Sequence, residues 1–155
     1  MTDPTPRRYP RDIPPMWLLA TLGGIWVCDR WLPVARWLAP PWTWAGLLLV
    51  VAGVGLAAWG AGLFRRAGTG VRPFTEATVM VRNGPYRFTR NPMYLGMLLL
   101  TSGVAVTFGS VAPLLLPPLF AVVLHVRFVR REEEFLTRRF GADYLAWCKT
   151  VRRWL

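Results

Sequence analysis

Two cysteines and a single histidine leave this 155-residue chain almost without soft metal ligands or redox groups. Cys28 and Cys148 make neither a disulfide framework nor a metal cluster, and they imply no oxidising compartment. His125 alone cannot build a metal site, so no metal is expected. Charge is scarce at 17% of residues, and acidic charge scarcer still: 8 Asp and Glu stand against 19 Lys and Arg, for a net charge of +11. A soluble basic domain carries such an excess, but not on a chain that is 54% hydrophobic. That combination argues against a soluble nucleic-acid binder and for a membrane protein whose arginines face anionic lipid. The length suits one domain.

Charge-free runs locate the spans. Residues 13–28 form the first, ended by Asp29 and Arg30. Residues 42–64 form the second, long enough at about 1.5 Å per residue to cross a hydrocarbon layer of about 30 Å with some tilt. The third, 91–126, holds only His125 as a titratable group and is too long for one helix. Its break is expected at Gly109-Ser110, with Pro113, Pro117 and Pro118 marking an irregular start to the second limb. The sequence therefore predicts an all-α integral membrane protein with about four transmembrane helices, near 14–36, 42–64, 92–108 and 111–129. The third and fourth form a hairpin, and a C-terminal amphipathic helix lies in the interface. Arg7, Arg8 and Arg11 ahead of the first run imitate a signal peptide. No small-residue cleavage site follows, and Trp26-Val27 before Cys28 does not suit lipoprotein processing, so a retained helix is expected.

Arginine placement sets the topology. Of the 19 basic residues, only Arg30 and Arg36 fall between the first two helices. The rest lie in the N-terminal tail, the 65–91 loop and the C-terminal segment, which are then cytoplasmic in a plasma or bacterial inner membrane. Trp31, Trp37, Trp42 and Trp44 crowd the opposite interface, where indole rings prefer to sit. Gly53, Ala57 and Ala61 make a small-residue stripe on the second helix, expected to pack helices within the chain.

Two polar blocks on the arginine-rich side exceed what an anchor requires. In the first, Gly84-Pro85 is a turn, and Asn91-Pro92 puts a proline in the first turn of the third helix, where its missing N–H costs nothing. Such a start aims unpaired backbone N–H groups and a positive dipole end at an anion. Arg87 and Arg90 flank it, and Tyr86 and Tyr94 add aromatic faces with polar tips. The plainer reading is a simple cap with arginines on lipid phosphates. In the second block, a fourth helix continuing to Phe140 puts Glu133 on the side of Leu136 and Phe140 and turns Glu134 away. An inward carboxylate needs a ligand, or an arginine such as Arg87 or Arg90. Gly141 ends this helix. The segment after it then puts Tyr144, Trp147 and Val151 on one face and Lys149, Arg152 and Arg153 on the other, as an interfacial helix able to roof a pocket.

Three stretches carry a family resemblance: GTGVRPF at 68–74, VRNGPYRFTRNPMYLG at 81–96, and EEEFLTRRFGADY at 132–144 followed by VRRW. They resemble, in order and around a helical hairpin, the motifs of the isoprenylcysteine carboxyl methyltransferase and phospholipid methyltransferase superfamily of integral-membrane enzymes. The resemblance implies S-adenosylmethionine as methyl donor at the cytoplasmic interface. It makes residues 1–155 one membrane domain, with two N-terminal helices over 1–64 and a cofactor-binding core over 65–155. Arg90, Asn91, Pro92, Tyr94 and Gly96 occupy one motif, Glu132 and Glu133 another, and Tyr144 the tyrosine that follows. Arg90, Asn91 and Glu133 are the expected catalytic residues. Tyr86, Arg87, Asn91, Pro92, Tyr94, Gly96, Glu132, Glu133 and Tyr144 are the expected cofactor contacts. Asn91 stands where the carboxyl methyltransferases usually carry histidine, and Cys148 where an aromatic is often found.

The residues suit that chemistry on their own account. In-line displacement from a sulfonium is a matter of positioning and needs no metal. A carboxylate such as Glu133 accepts hydroxyls or an ammonium, an arginine such as Arg87 or Arg90 takes a carboxylate, and Tyr86 or Tyr94 can face a cationic sulfur. Gly68-Thr69-Gly70 lies in a loop with no preceding strand, which excludes a soluble Rossmann-type methyltransferase. The expected acceptor is lipophilic, an isoprenylcysteine-like carboxylate or a phospholipid amine, with a small hydrophobic thiol or acid as a further alternative; an amine acceptor must also lose a proton to a Glu or Tyr, and the residues do not choose among them. Two other readings compete: a membrane reductase of sterol-reductase-like architecture using NADPH, and a non-catalytic membrane scaffold. Oligomeric state and protein partners cannot be read from the sequence.

Overall fold

The computed structural model describes residues 12–32, 34–36, 38–68 and 78–155, and within them the chain is helical with no strand beyond isolated bridges. Arg7, Arg8, Arg11, Trp37, Arg72 and residues 69–74 of the GTGVRPF stretch lie outside the described residues. The helices are α1 (Pro14–Trp31), α2 (Trp44–Arg66), α3 (Pro92–Phe108), α4 (Leu116–Leu124), α5 (Arg130–Phe140) and α6 (Ala142–Thr150), with 3₁₀ turns at Gly84–Arg87 and Ala112–Leu115. A π-helical turn, His125–Val129, joins α4 to α5, so that Ala112–Phe140 is one continuous rod.

Two of these rods are long and apolar enough to cross a membrane: α2, with a mean hydropathy of 2.2 in its most apolar window, and Ala112–Phe140, at 1.8. Only 11% of the α2 window is buried, which is the behaviour of a lipid-facing helix and not of a soluble core. At 17 residues, α3 is apolar but short, about 25 Å at 1.5 Å per residue. The expected first span, 14–36, ends instead at Trp31. Leu32 precedes Pro33 and has left the helical region (φ −120°, ψ 72°), which a residue before proline disfavours. The predicted break at Gly109 is present: Gly109 has φ 69°, and a Cβ there would lie 2.5 Å from the Leu38 carbonyl oxygen. Backbone bonds Leu38 N–H to Gly109 O (3.3 Å) and Val111 N–H to Ala35 O (3.3 Å) lace the two connections at that end together.

The α2–α3 contact dominates the packing, and it is built from glycine. Gly46 faces Gly103 and Gly53 faces Gly96, an antiparallel pairing in which every added Cβ would meet backbone at 2.5–2.6 Å. The expected stripe does pack helices within the chain: Gly53 and Ala57 both meet Gly96, and the buried glycines Gly46, Gly53 and Gly60, seven residues apart, carry the contact along the helix. Seven residues is close to two full turns, so this stripe keeps a straight seam along the whole contact.

At the arginine-rich end, α1 is tied to the rod. Asp12 pairs with Arg127 at 3.0 Å and accepts a bond from the Trp17 indole N–H, while the Arg127 guanidinium stacks 5.3 Å from the Trp17 ring centre. The Trp17 bond, helped by Arg127, holds the Asp12 carboxyl below its ordinary value of 3.8. A carboxyl depressed by folding stabilises the fold above its unfolded pKa, and that contribution is lost as pH falls through the folded one. Asp12→Asn is therefore expected to lower the thermal midpoint slightly at neutral pH. The difference from wild type should close as the pH drops below about 4, with melting curves across pH 3–7 as the check.

Candidate functional site

Two hydrophobic clusters meet at this end of the bundle. Tyr94 on α3 packs with Phe120, Leu124, Phe128 and Val129 of the rod. Tyr86, Tyr144, Trp147 and Val151 form the second cluster, so the predicted apolar face of α6 is the face that docks. Gly84 (φ 60°) opens the 3₁₀ turn that drives Tyr86 inward, where only 3% of it is exposed and its ring sits 5.4 Å from that of Phe64. Gly141 (φ 54°) ends α5 as predicted and reverses the chain into α6.

Between the clusters lies a cavity with Arg90, Asn91, Pro92 and Tyr94 of α3 and its N-terminal approach on one wall and Glu132 and Glu133 of α5 on another. Tyr86, Tyr144 and Trp147 close it, and Phe64, Met80 and Leu136 line it with apolar surface. Space for water-sized molecules inside is about 60 Å³, within a cleft whose empty volume, counted out into solvent, is about 760 Å³. Of the residues expected at the site, Arg87 and Gly96 are not on its walls. Arg87 is exposed, and Gly96 is buried against Gly53 and Ala57 of α2, where it seats the helix that carries the site.

The two carboxylates have different surroundings. Glu133 is gripped by arginine: Arg153 spans both its oxygens, Nε to Oε1 at 2.9 Å and Nη2 to Oε2 at 2.7 Å, and Arg90 Nη2 lies 3.3 Å from Oε1. Of the two arginines expected as its partner, Arg87 and Arg90, the structure selects Arg90. Glu134 points away from the cavity, as predicted. Glu132 has no cation within reach among the described residues; its Oε2 accepts a hydrogen bond from the Tyr94 hydroxyl at 2.9 Å. The cavity thus holds one compensated carboxylate and one that is not.

Two further polar atoms are left open. The Tyr86 hydroxyl and Arg90 Nε are buried without a hydrogen-bond partner, and both belong to cavity residues. The other face of Arg90 is engaged, since Nη1 donates to Cys148 Sγ. Burial, and then the charge of Glu132, pushes the Tyr86 hydroxyl well above the ordinary tyrosine value. Burial, and then Glu133, does the same at Tyr144. Both therefore remain protonated at neutral pH and act as donors, which leaves the carboxylates as the proton-accepting groups of these walls.

Two expectations change here. The first is the simple cap: the bonds at the approach to α3 are made ahead of the helix, where Arg90 N–H donates to Arg152 O (3.0 Å) and Asn91 N–H to Thr89 Oγ1 (3.2 Å). Asn91, at the N-cap, makes no side-chain cap bond; its amide donates to Arg153 O at 2.9 Å. The second change is Arg153, expected to face away with Lys149 and Arg152. α6 stops at Thr150, and Val151 is extended (φ −123°, ψ 130°), so helical phase no longer governs residue 153 and its side chain turns back onto Glu133. The VRRW stretch is visible in the sequence, but nothing in it marks where the helix ends.

The implied cofactor can be tested against this donor set. S-adenosylmethionine carries an ammonium, a carboxylate, hydroxyls and a sulfonium. Glu132, Arg90 Nε, the Tyr86 hydroxyl and the surrounding rings answer those groups in kind. The inner space falls below the about 300–1,000 Å³ usual for ligand sites, so a nucleoside-sized molecule would extend into the open cleft. The residues fit the group. In comparison with known proteins, the model of the phospholipid methyltransferase family matches residues 41–143, which run from the start of α2 into α6. No curated protein and no solved structure shows a significant match.

Proposed function

The chain belongs to the phospholipid methyltransferase family, and from that premise we propose that it is an integral-membrane enzyme moving a methyl group from S-adenosylmethionine to a lipophilic acceptor at the cytoplasmic face. The observation that carries the reading is a set of incompletely answered polar groups in one cavity: the Tyr86 hydroxyl and Arg90 Nε, which have no hydrogen-bond partner, and the Glu132 carboxylate, which has a hydroxyl partner but no cation among the described residues. Buried groups of this kind are costly unless a ligand completes them. Bound S-adenosylmethionine supplies an electrophilic methyl group on a sulfonium.

The residues then divide the work. Glu132 takes the cationic end of the cofactor or an amine of the acceptor, with the Tyr94 hydroxyl fixing its rotamer. Arg90, held by Glu133 and Cys148, offers Nε to a carboxylate. Tyr86 donates its hydroxyl, and the Tyr144 and Trp147 rings, 5.9 Å apart, exclude water. An acceptor with a lipid tail reaches the cavity sideways from the apolar surface, because Phe64 of α2 and Glu132 and Glu133 of the Ala112–Phe140 rod, the two helices long and apolar enough to cross a membrane, stand on its walls. With an amine acceptor, an uncompensated carboxylate on the wall is the group placed to receive the proton. In this topology the four apolar helices span, and both termini and the 65–91 loop face the cytoplasm.

The test is binding of radiolabelled S-adenosylmethionine to the detergent-purified chain, with mass spectrometry of host lipid extracts for a species heavier by one methylene. Saturable binding and such a species are expected. A thermal shift with NADPH and none with S-adenosylmethionine would overturn the proposal in favour of a reductase, and no response to either would favour a scaffold. Tyr86→Phe gives a second check. Removing an unpartnered buried hydroxyl should leave the free protein as stable or up to about 1 kcal/mol more stable, while cofactor affinity falls about threefold to tenfold. Loss of stability together with unchanged affinity would show that the hydroxyl serves the fold alone.

A further inference from the structure

Resting on that reading, the geometry points to Arg153 as a positioning residue of the cofactor site, acting from the C-terminal segment through Glu133. Its backbone carbonyl is clamped to the start of α3 by two donors, Asn91 Nδ2 at 2.9 Å and Thr89 Oγ1 at 3.2 Å. The neighbouring Arg152 carbonyl accepts the Arg90 N–H at 3.0 Å. With its main chain pinned there, Arg153 forks over both oxygens of Glu133. A planar guanidinium meeting a carboxylate this way fixes rotation as well as charge, which a lysine cannot reproduce.

Arg153 reaches the site from outside. Its side chain is 41% exposed and lines an outer cleft with Arg130, Thr137 and Arg138, whereas the Arg90 side chain, on the cavity side, is 12% exposed. Glu133 lines both spaces and is the wall between them. The chain of contact therefore runs Arg153, Glu133, Arg90, and it ends on the open Nε of a cavity residue. Without the outer arginine, Glu133 is free to rotate about its own axis and Arg90 loses the anchor that aims it. Arg153 is not itself a lining residue of the cavity and reaches it only through residues that are.

The test is equilibrium binding of S-adenosylmethionine to the full chain in detergent, combined with a double-mutant cycle. Arg153→Ala is expected to weaken binding about tenfold, Arg153→Lys to recover only part of that, and Arg153→Ala to add nothing in a Glu133→Gln background. Arg152→Ala, whose side chain is exposed, should bind within about twofold of wild type. The thermal midpoint is read for each, and should Arg153→Ala not stay folded, Arg153→Lys decides between the outcomes. Additive losses, or affinity within about twofold of wild type for both Arg153 variants, would overturn this assignment alone. A wild-type chain that does not bind S-adenosylmethionine would instead overturn the functional reading on which it rests.

Discussion

Gly96→Val is expected to prevent α3 from seating on α2 and to leave no ordered site. A Cβ at residue 96 would lie 2.6 Å from the Gly53 carbonyl oxygen and 2.7 Å from the Ala57 nitrogen, and both are backbone atoms of a helix that cannot turn aside. The two helices would have to part by about an ångström or more along a seam that closes again at Gly46 and Gly103. The cost is about 3 kcal/mol or more, a large share of a marginal stability. Because Pro92 and Tyr94 ride on the same helix, the cavity wall moves with it. The check is thermal unfolding and monodispersity in detergent. Gly55→Ala, where nothing lies within 4 Å, serves as the control and should be neutral. Equal tolerance of both substitutions would refute the seam.

Glu132→Gln is expected to leave the fold intact and to weaken function severely. The carboxylate has a hydroxyl for a partner and no counter-ion among the described residues, so the neutral amide relieves the free protein of an uncompensated charge while keeping a Tyr94 bond. A cation in the cavity would lose a charge-assisted contact, and affinity or turnover should fall about a hundredfold, near 3 kcal/mol. Glu133→Ala gives the opposite profile. It strands two arginines and removes the side-chain tie between α5 and the C-terminal segment, so stability and binding fall together. The pair is separated by measuring melting and cofactor binding on the same preparations. Binding by Glu132→Gln at wild-type strength would remove the cation-binding role.

How far the sequence foretold this arrangement depends on which force set each feature. Apolar runs and arginine placement are one-dimensional properties, and so the helices over 42–64 and 92–108, the break at Gly109 and the turn at Gly84-Pro85 were all legible. The inward carboxylate was legible too, because helical phase alone separates Glu133 from Glu134. What escaped depends on where a helix stops or on how closely two backbones approach. Pro33 cut α1 at Trp31, short of its expected end. Val151 broke the phase that would have sent Arg153 outward. Gly53 and Ala57 were legible as a packing stripe, yet spacing within either helix does not reveal that the motif residue Gly96 is what they meet. The open atoms of Tyr86 and Arg90 are likewise invisible until the third dimension shows which of their neighbours are already taken.

The π-helical turn at His125–Val129 has a consequence for chain length. It accommodates one residue more than an α-helix would over the same rise, and each residue is worth about 100° of rotation. The rod thus carries one spare residue between its apolar half and its acidic half. Deleting one amino acid within the turn would leave an ordinary α-helix of the same rise, with both glutamates still facing α3. A second deletion has no slack to draw on and would swing them about 100° away, so the stretch between Phe120 and Glu132 tolerates the loss of one residue and not of two.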